Sequence, residues 1–231
     1  MLNSKYISLV FIAMLLWCCT RLKNQEASRD PWPLQEGTTW IYQGQCNNQL
    51  VKVEMEIKKV TRQGSLLFAE IQGYPSDPLD GSGWKPSTWG LLVVGNERFY
   101  RLEGPRLDSV RNRLTDPADN LAGLVEEQEL MLQLPLQSGN SFGETFQLTR
   151  SDSNYYWQVT GKSIFDPSSI GIREMNKPID QFTLRFSTLP DETLIDFVPG
   201  LGIGRYRYSH HGTPAETDMK LSEIKGLSVA P

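Results

Sequence analysis

The chain has 231 residues, of which 39% are hydrophobic and 22% are charged, and its formal net charge is −4. This composition supplies a buried core and excludes a disordered polyelectrolyte. The slight acidity argues against a nucleic-acid binder, which usually carries a basic stripe, so no nucleic-acid partner is predicted. The 19 glycines and 14 prolines follow no period, which excludes a collagen-like sequence and indicates many turns.

Residues 1–18 have the pattern of a signal peptide. One cation, Lys5, precedes a run of apolar residues from Tyr6 to Trp17. The run is shorter than the roughly 20 apolar residues that cross a membrane, and its length suits the hydrophobic part of a secretory signal. We therefore expect the mature chain to lie outside the bacterial cytoplasm.

A cysteine pair follows the apolar run, at Cys18 and Cys19, with Leu16 three residues before the second. This arrangement resembles a bacterial lipoprotein signal, in which such a Leu precedes the cysteine that becomes lipid-modified. The resemblance implies lipidation of Cys19 and a membrane partner reached through that anchor. Two acyl chains are about what stable anchoring requires. An ordinary secretory signal and an uncleaved anchor are the alternatives.

Residues 19–30 are polar and lack apolar periodicity, which is typical of a tether, and we place a β-rich domain at residues 31–231. With Cys19 lipidated, Cys46 is the one remaining thiol, so no internal disulfide is expected. A residue of this kind is more often a small buried hydrophobe than a reactive thiol.

Two segments of the domain resemble each other. Residues 33–40 are PLQEGTTW and residues 135–142 are PLQSGNSF. Both fit a strand entry in which Pro fixes an extended lead-in, Gly takes a turn and an aromatic residue begins the strand. The match predicts two similar halves, 33–134 and 135–231. Two similar turns in an unduplicated domain are the alternative.

The strands are predicted from alternation. Residues 51–58 alternate apolar and charged side chains, and Trp89–Val94 leads through Gly95-Asn96 into a returning strand, which is a hairpin pattern. The second half alternates in five further segments, at 155–160, 182–186, 194–198, 203–208 and 219–224. Helical spacing is confined to short pieces, the first at Leu107, Val110, Arg111 and Leu114.

These patterns predict an all-β fold that is mainly antiparallel. We expect about 10–14 strands in a curved open sheet, a barrel-like arrangement or a sandwich, with one or two short helices.

The opening of the domain carries Pro33, Leu34, Gly37, Trp40 and Tyr42 in the spacing Pro-Leu-x-x-Gly-x-x-Trp-x-Tyr. This resembles the recurring start of bacterial surface lipoproteins of unknown function, and the glycine-rich segment Phe197–Tyr208 resembles the closing hairpin of the same group. The resemblance implies an antiparallel, curved β-fold on the cell exterior. It implies no activity.

The loop Gly81–Trp89 holds two tryptophans, Trp84 and Trp89, among polar residues. Exposed aromatic side chains often mark interaction sites. One hypothesis is a ligand-binding platform that stacks on a sugar ring or clamps a partner. The alternative is a purely structural role, in which both rings cap one end of the core.

The two histidines, His210 and His211, are adjacent in a predicted hairpin. Neighbouring strand residues point to opposite faces, so a polar hairpin tip is favoured over a metal site. No metal, cofactor or catalytic constellation is predicted, and the chain is not expected to be an enzyme.

The arginines Arg205 and Arg207, with Arg185, are expected on one strand face opposite Tyr206 and Tyr208. They could form a positive stripe for an anionic lipid or polysaccharide. The interpretation we favour is pairing with cross-strand acids, for which the candidates are Glu216, Asp218 and Glu223.

Together the patterns predict a non-enzymatic binding or assembly module of the cell envelope, with an envelope protein, lipid or polysaccharide as partner. One alternative is a carrier that holds an apolar molecule in a continuous cavity of about 300–1,000 Å³ within the curved sheet. Another is a carbohydrate-binding or carbohydrate-active protein that uses Trp84 and Trp89. Carbohydrate hydrolysis would require two carboxylates facing each other about 5–10 Å apart.

Overall fold

The structure is a computed structural model. It describes residues 30–227 except 81–84, 117, 120, 122, 173, 174 and 176. Contacts between Cα atoms divide the chain into a unit Met1–Asp30 and a compact unit Pro31–Pro231. The predicted signal peptide, Cys19 and Trp84 lie outside the described residues.

In the part of the chain that the structure describes, twelve strands form one antiparallel sheet, which confirms the all-β prediction. In chain order the strands are β1 (Thr39–Cys46), β2 (Gln49–Gln63), β3 (Leu66–Gln72), β4 (Thr88–Val94), β5 (Arg98–Leu102), β6 (Leu130–Gln133), β7 (Ser141–Phe142), β8 (Trp157–Phe165), β9 (Ile179–Ser187), β10 (Asp191–Val198), β11 (Gly202–His210) and β12 (Glu216–Lys225). The spatial order is β6-β5-β4-β3-β2-β1-β12-β11-β10-β9-β8-β7. The sheet is therefore two six-stranded meanders joined where β1 pairs with β12.

The sheet curves until its edge strands β6 and β7 touch, which gives a nearly closed, barrel-like form. Large aromatic side chains fill the core, and the bulkiest fully buried ones include Trp32, Trp40, Tyr42, Trp89, Phe99 and Phe197. Burial of such rings supplies much of the driving force for folding. The same packing occupies the space in which a carrier would hold an apolar ligand, and so disfavours that alternative.

One α-helix, α1 (Gly104–Thr115), connects β5 to β6. Its buried face is Leu107, Val110 and Leu114, as the helical spacing predicts. Leu107 packs beside Gly90, and Arg111 forms an ion pair with Glu70 at 2.9 Å. Short 3₁₀ turns lie at Asp77–Asp80, Glu127–Glu129, Gln147–Thr149 and Pro167–Ile170. In the described ranges of the chain, no helix is long and apolar enough to cross a membrane.

The opening and closing segments singled out in the sequence contact each other. The Trp40 indole N–H donates to the Leu201 carbonyl at 2.6 Å, and the Tyr42 hydroxyl donates to the Ile203 carbonyl at 3.0 Å. Gly202 has φ +95°, and a Cβ there would lie 2.6 Å from the Trp32 ring nitrogen. Only glycine combines this left-handed backbone with room for the Trp32 ring. The two hydrogen bonds join the opening and closing segments across the core.

Matched hydrogen bonds relate the two halves of the sheet. Gly37 N donates to Ile57 O at 2.9 Å, and Gly139 N donates to Val159 O at 2.8 Å. The strand register then shifts directly after Ile57 in β2 and directly after Val159 in β8. Both features recur at the offset of the two similar sequence segments. They support the internal repeat, which stays a prediction.

The strand directions give the domain two ends. The connections β1–β2, β3–β4, β5–β6, β7–β8, β9–β10 and β11–β12 all lie at one end, which we call the pocket end. The chain enters the domain at the opposite end, where the Pro31 carbonyl accepts a hydrogen bond from Gly200 N at 2.8 Å. We call this the attachment end.

Candidate functional site

A cavity of about 600 Å³ opens at the pocket end, and we call it the rim pocket. The connection between β3 and β4 forms one wall through Ser76, Asp77, Lys85 and Ser87. Strand β5 contributes Arg101, while β10 and β11 contribute the facing wall. The rim pocket therefore joins residues from both halves of the sheet.

The β3–β4 connection is fixed at its base. The Asp77 carboxylate accepts hydrogen bonds from the backbone N–H groups of Tyr74, at 2.8 Å, and Ser87, at 2.9 Å. Gly73 has φ +84°, and a Cβ there would lie 2.0 Å from the Glu54 carbonyl oxygen. The wall of the rim pocket thus begins from a backbone position that glycine alone can take.

A stack of aromatic rings and one guanidinium forms the floor. The Arg101 guanidinium carbon lies 3.7 Å from the centroid of the Tyr74 ring, which is cation–π geometry. The rings of Trp89 and Tyr206 meet Tyr74 edge-on, with centroids 5.4 and 5.6 Å away. Burial raises the pKa of both Tyr74 and Tyr206, so their hydroxyls stay neutral.

Trp89 occupies the core and not an exposed platform. Its side chain is fully buried, and its indole N–H donates to the Gly73 carbonyl at 3.0 Å. The ring faces of Trp89 are therefore closed to a ligand, which corrects its assignment to a stacking platform and agrees with the capping interpretation. The ligand-binding role of Trp84, which lies outside the described residues, stays a prediction.

Hydroxyl groups dominate the rest of the lining, from Ser76, Ser87, Thr193, Tyr206 and Tyr208. The Ser87 hydroxyl is buried, and among the described residues it has no hydrogen-bond partner.

The charges that line the rim pocket balance. Arg101 and Lys85 supply two cations, while Asp77 and Glu103 supply two carboxylates. Arg101 Nε donates to Glu103 at 2.8 Å. The lining of the rim pocket therefore has no net charge that would attract an ion.

Beside the rim pocket, Asp191 gathers two side chains of β11. The Tyr208 hydroxyl donates to Asp191 at 2.5 Å, and His210 Nδ1 lies 2.7 Å from the same oxygen. The hydrogen bond from Tyr208, followed by that from His210, lowers the pKa of Asp191. The same bond raises the pKa of Tyr208 to about 12.

The adjacent His211 is exposed, and its backbone N–H donates to the Pro190 carbonyl. Only His210 of the two histidines contacts Asp191. Across the part of the chain that the structure describes, no three His, Cys, Asp or Glu side chains lie close enough to hold a metal ion.

The arginines of the outer sheet face are paired with acids. Arg205 Nε donates to Asp218 at 2.7 Å, and Arg207 contacts Asp196 at 3.1 Å. Pairing with Asp218 agrees with the cross-strand interpretation, and the Arg205 guanidinium lowers the pKa of that carboxyl. Of the other expected acids, Glu223 lies 3.8 Å from Lys225, a lysine and not an arginine.

Cys46 is a buried free thiol. The Thr217 hydroxyl donates to its sulfur at 3.4 Å. This environment agrees with the expectation of a small buried residue and leaves the thiol shielded from solvent.

The sequence did not indicate Tyr74, Arg101 or Asp191 as site residues. The sequence contained one indication of Arg101, because it is a charged residue in the otherwise apolar run Phe99–Leu102. A charged residue in such a run needs a partner, and here the partners are the Tyr74 ring and Glu103.

No family model matches the sequence, and no curated protein matches it. Two solved structures are similar. One, provisionally described as an exported protein with a YmcC-like fold from Bacteroides fragilis, is 10% identical, with a TM-score of 0.44 over 84% of this chain and 98% of the other. The second, provisionally described as a lipoprotein from Parabacteroides distasonis, is 11% identical, with a TM-score of 0.40 over 84% of this chain and 97% of the other.

Proposed function

We propose that this chain is a lipid-anchored, extracytoplasmic binding protein whose rim pocket takes a neutral, polyhydroxylated ligand such as an oligosaccharide of the cell envelope. Support for the location comes from the leader at residues 1–18 and from the lipoprotein-like position of Cys19. Support for the ligand class comes from the lining of the rim pocket.

The observation that carries the proposal is the combination of hydroxyls and balanced charges in one cavity. Its volume of about 600 Å³ falls within the range of small-molecule sites, roughly 300–1,000 Å³. Hydroxyl groups both donate and accept, which suits the hydroxyls of a sugar. An ion pair such as Arg101–Glu103 adds charge-assisted donors and acceptors without a net charge.

Binding is favoured over catalysis because both carboxylates of the rim pocket are already held. Asp77 accepts two backbone hydrogen bonds, and Glu103 is bound by Arg101. A hydrolase of the usual glycosidase type would need one carboxyl free to deliver a proton and the other free to act as base or nucleophile. Fixed carboxylates instead serve to orient ligand hydroxyls.

The proposal is tested on an array of immobilised envelope and host oligosaccharides, probed with the purified protein. We expect a restricted set of glycans to bind. Replacing one hydroxyl, in Ser76→Ala or Thr193→Val, should weaken binding of those glycans by about three- to tenfold, the worth of one hydrogen bond. The matched control Ser163→Ala removes an exposed hydroxyl on β8 and should bind as the wild type does.

Two results would contradict the proposal. Absence of any glycan binding by the folded wild type would exclude the ligand class, and equal weakening by Ser163→Ala would exclude the rim pocket. The anchor is tested separately by growing cells with a labelled lipid precursor. Label should enter the wild-type chain and be lost in Cys19→Ala; retention of label in that variant would refute lipidation at Cys19.

A further inference from the structure

A second cavity, of about 190 Å³, lies at the pocket end beside the β7–β8 connection. It does not share a described residue with the rim pocket. We call it the aromatic groove and define it by six of its lining residues: Glu127, Glu144, Tyr155, Tyr156, Trp157 and Phe186.

The wall of the aromatic groove is a cross-strand row of rings. Trp157 on β8 pairs with Phe142 on β7 and with Phe186 on β9. The ring centroids of Trp157 and Phe186 are 5.2 Å apart and the planes are inclined by 44°, so the two rings form a corner. Trp157 is only partly buried. Its indole is therefore the strongest π-face available at this groove.

Tyr155 is held against this corner by an unusual backbone. Its φ is +69°, and Ser153 two residues earlier has φ +57°. Residues other than glycine pay for this left-handed conformation, and such strain persists only where surrounding contacts hold it. Here the Tyr155 N–H donates to the Ser187 carbonyl at 2.7 Å. The Arg150 guanidinium lies 4.7 Å from the Tyr155 ring centroid, so this ring is already occupied by a cation of the chain and a ligand must use the other rings.

Two carboxylates complete the aromatic groove. Glu127 accepts hydrogen bonds from Thr145 N and Thr145 Oγ1, both at 3.0 Å. These bonds, the backbone one first, lower the pKa of Glu127 and keep it ionised at neutral pH. The nearest donor to the Glu144 carboxylate is the Gln147 amide at 3.4 Å. Among the described residues, no Lys or Arg lines the groove. The charge of Arg98 acts on Glu127 as a smaller cause of its lowered pKa, without a direct ion pair.

We infer that the aromatic groove binds a small organic cation of the quaternary or methylated ammonium class, through the rings of Trp157 and Phe186 and the carboxylates Glu127 and Glu144. Aromatic corners with nearby negative charge are the sites that proteins use for such cations, because a diffuse cation gains from both ring faces and carboxylates. An anion would be repelled by the two carboxylates. An apolar ligand would bury them without compensation.

The probe is choline chloride, compared with its neutral isostere 3,3-dimethyl-1-butanol, titrated into the full chain at constant ionic strength. Calorimetry and tryptophan fluorescence report the binding. We expect choline to bind at least about tenfold more tightly than the neutral isostere, because cation–π and carboxylate contacts act on the charge. Equal affinities, or no saturable choline binding, would overturn the proposal.

Variants locate the site. Glu144→Gln keeps the shape and removes one charge, and we expect choline affinity to fall about three- to tenfold. The control Glu223→Gln removes an exposed carboxylate at the far end of β12 and should leave choline affinity unchanged. Trp157→Leu keeps an apolar side chain and should abolish the preference for choline over its isostere. An equal loss in Glu223→Gln, or an unchanged preference in Trp157→Leu, would refute the assignment.

The two proposals fail independently. The glycan array reports the rim pocket, and choline titration reports the aromatic groove. Glycan binding should be unaffected by Glu144→Gln, and choline binding should be unaffected by Thr193→Val. Loss of both ligands in either variant would show that the cavities do not act separately and would contradict the inference.

Discussion

The close contact of Gly44 with β12 provides a test of how the two meanders are joined. A Cβ placed on Gly44 would lie 1.9 Å from the Asp218 carbonyl oxygen and 2.9 Å from the Met219 Cα. Carbon and oxygen atoms approach to about 3.3 Å even in close backbone contacts. In Gly44→Ala, β1 and β12 must therefore separate by roughly 1.4 Å, or the backbone must rotate by an equivalent amount.

This separation falls at the seam of the sheet, because β1–β12 is the pairing that joins the two meanders. The clash is with backbone, so no side-chain rotation can relieve it. Overpacking a folded structure usually costs about 1–3 kcal/mol, and this contact belongs at or above the upper value. For a domain of this size about 3 kcal/mol lowers Tm by roughly 6–12 °C.

The matched control is Gly161→Ala on β8. Gly161 also lies within a strand and has no left-handed φ, but the nearest atoms to an added Cβ are 3.8 Å away, in the Thr183 side chain. We expect this change to be neutral or to stabilise by up to about 1 kcal/mol, because Ala restricts the unfolded chain. Thermal unfolding by circular dichroism and urea titration measure both variants. Equal Tm shifts for the two alanines would refute the reasoning about the seam.

Three further changes probe single contacts. Tyr42→Phe removes the hydroxyl that binds Ile203 O and should cost about 1–2 kcal/mol in urea titration. Asp196→Ala leaves the partly buried Arg207 without its carboxylate and should cost about 2–3 kcal/mol in the same assay. The bond from its neighbouring arginine lowers the pKa of Asp152 to about 2; the Tm advantage of wild type over Asp152→Asn should hold above pH 4 and disappear as the pH falls to about 2.

Two of the three changes have a control variant, and the third is checked by its pH dependence. Tyr155→Phe removes a hydroxyl that has no hydrogen bond to any residue the structure describes, and it should shift stability by less than about 0.5 kcal/mol. Asp180→Ala breaks a half-exposed pair with Lys162 and should cost less than about 1 kcal/mol. Losses in these controls that match the test variants would contradict the contact assignments. A Tm difference between wild type and Asp152→Asn that does not change between pH 4 and pH 2 would contradict the pKa assignment.

Most of the fold could be predicted from local patterns in the sequence. Alternation at residues 51–58 follows β2, where one side chain in two is buried, and the spacing of Leu107, Val110 and Leu114 gives α1. These features depend on neighbours in the chain, so the sequence displays them directly. The pairing of β1 with β12 depends on residues nearly 200 positions apart, and alternation contains no information about it.

The candidate site was harder to predict from the sequence, for the same reason. The rim pocket combines Asp77 and Arg101 with Thr193 and Tyr206, residues that no local pattern relates. The spacing left both a platform and a buried cap open for Trp89, because an aromatic residue at a strand start is compatible with both exposure and burial. The contacts that decide are tertiary, the Gly73 carbonyl and the Tyr74 ring, and neither is visible from spacing alone.

Most of the motif residues have a structural role in the core. Trp40, Tyr42 and the glycine-rich segment Phe197–Tyr208 meet across the core through hydrogen bonds whose acceptors lie near the attachment end. The rim pocket and the aromatic groove lie at the pocket end, where connections between strands combine with strand residues, among them Tyr206 and Tyr208 at the end of the glycine-rich segment. Substitutions in the connections at this end would therefore change the proposed sites and leave the core contacts of Trp40, Tyr42 and Gly202 in place. The proposed binding sites lie at the end of the domain opposite Pro31, where a ligand can approach without meeting the point of chain entry.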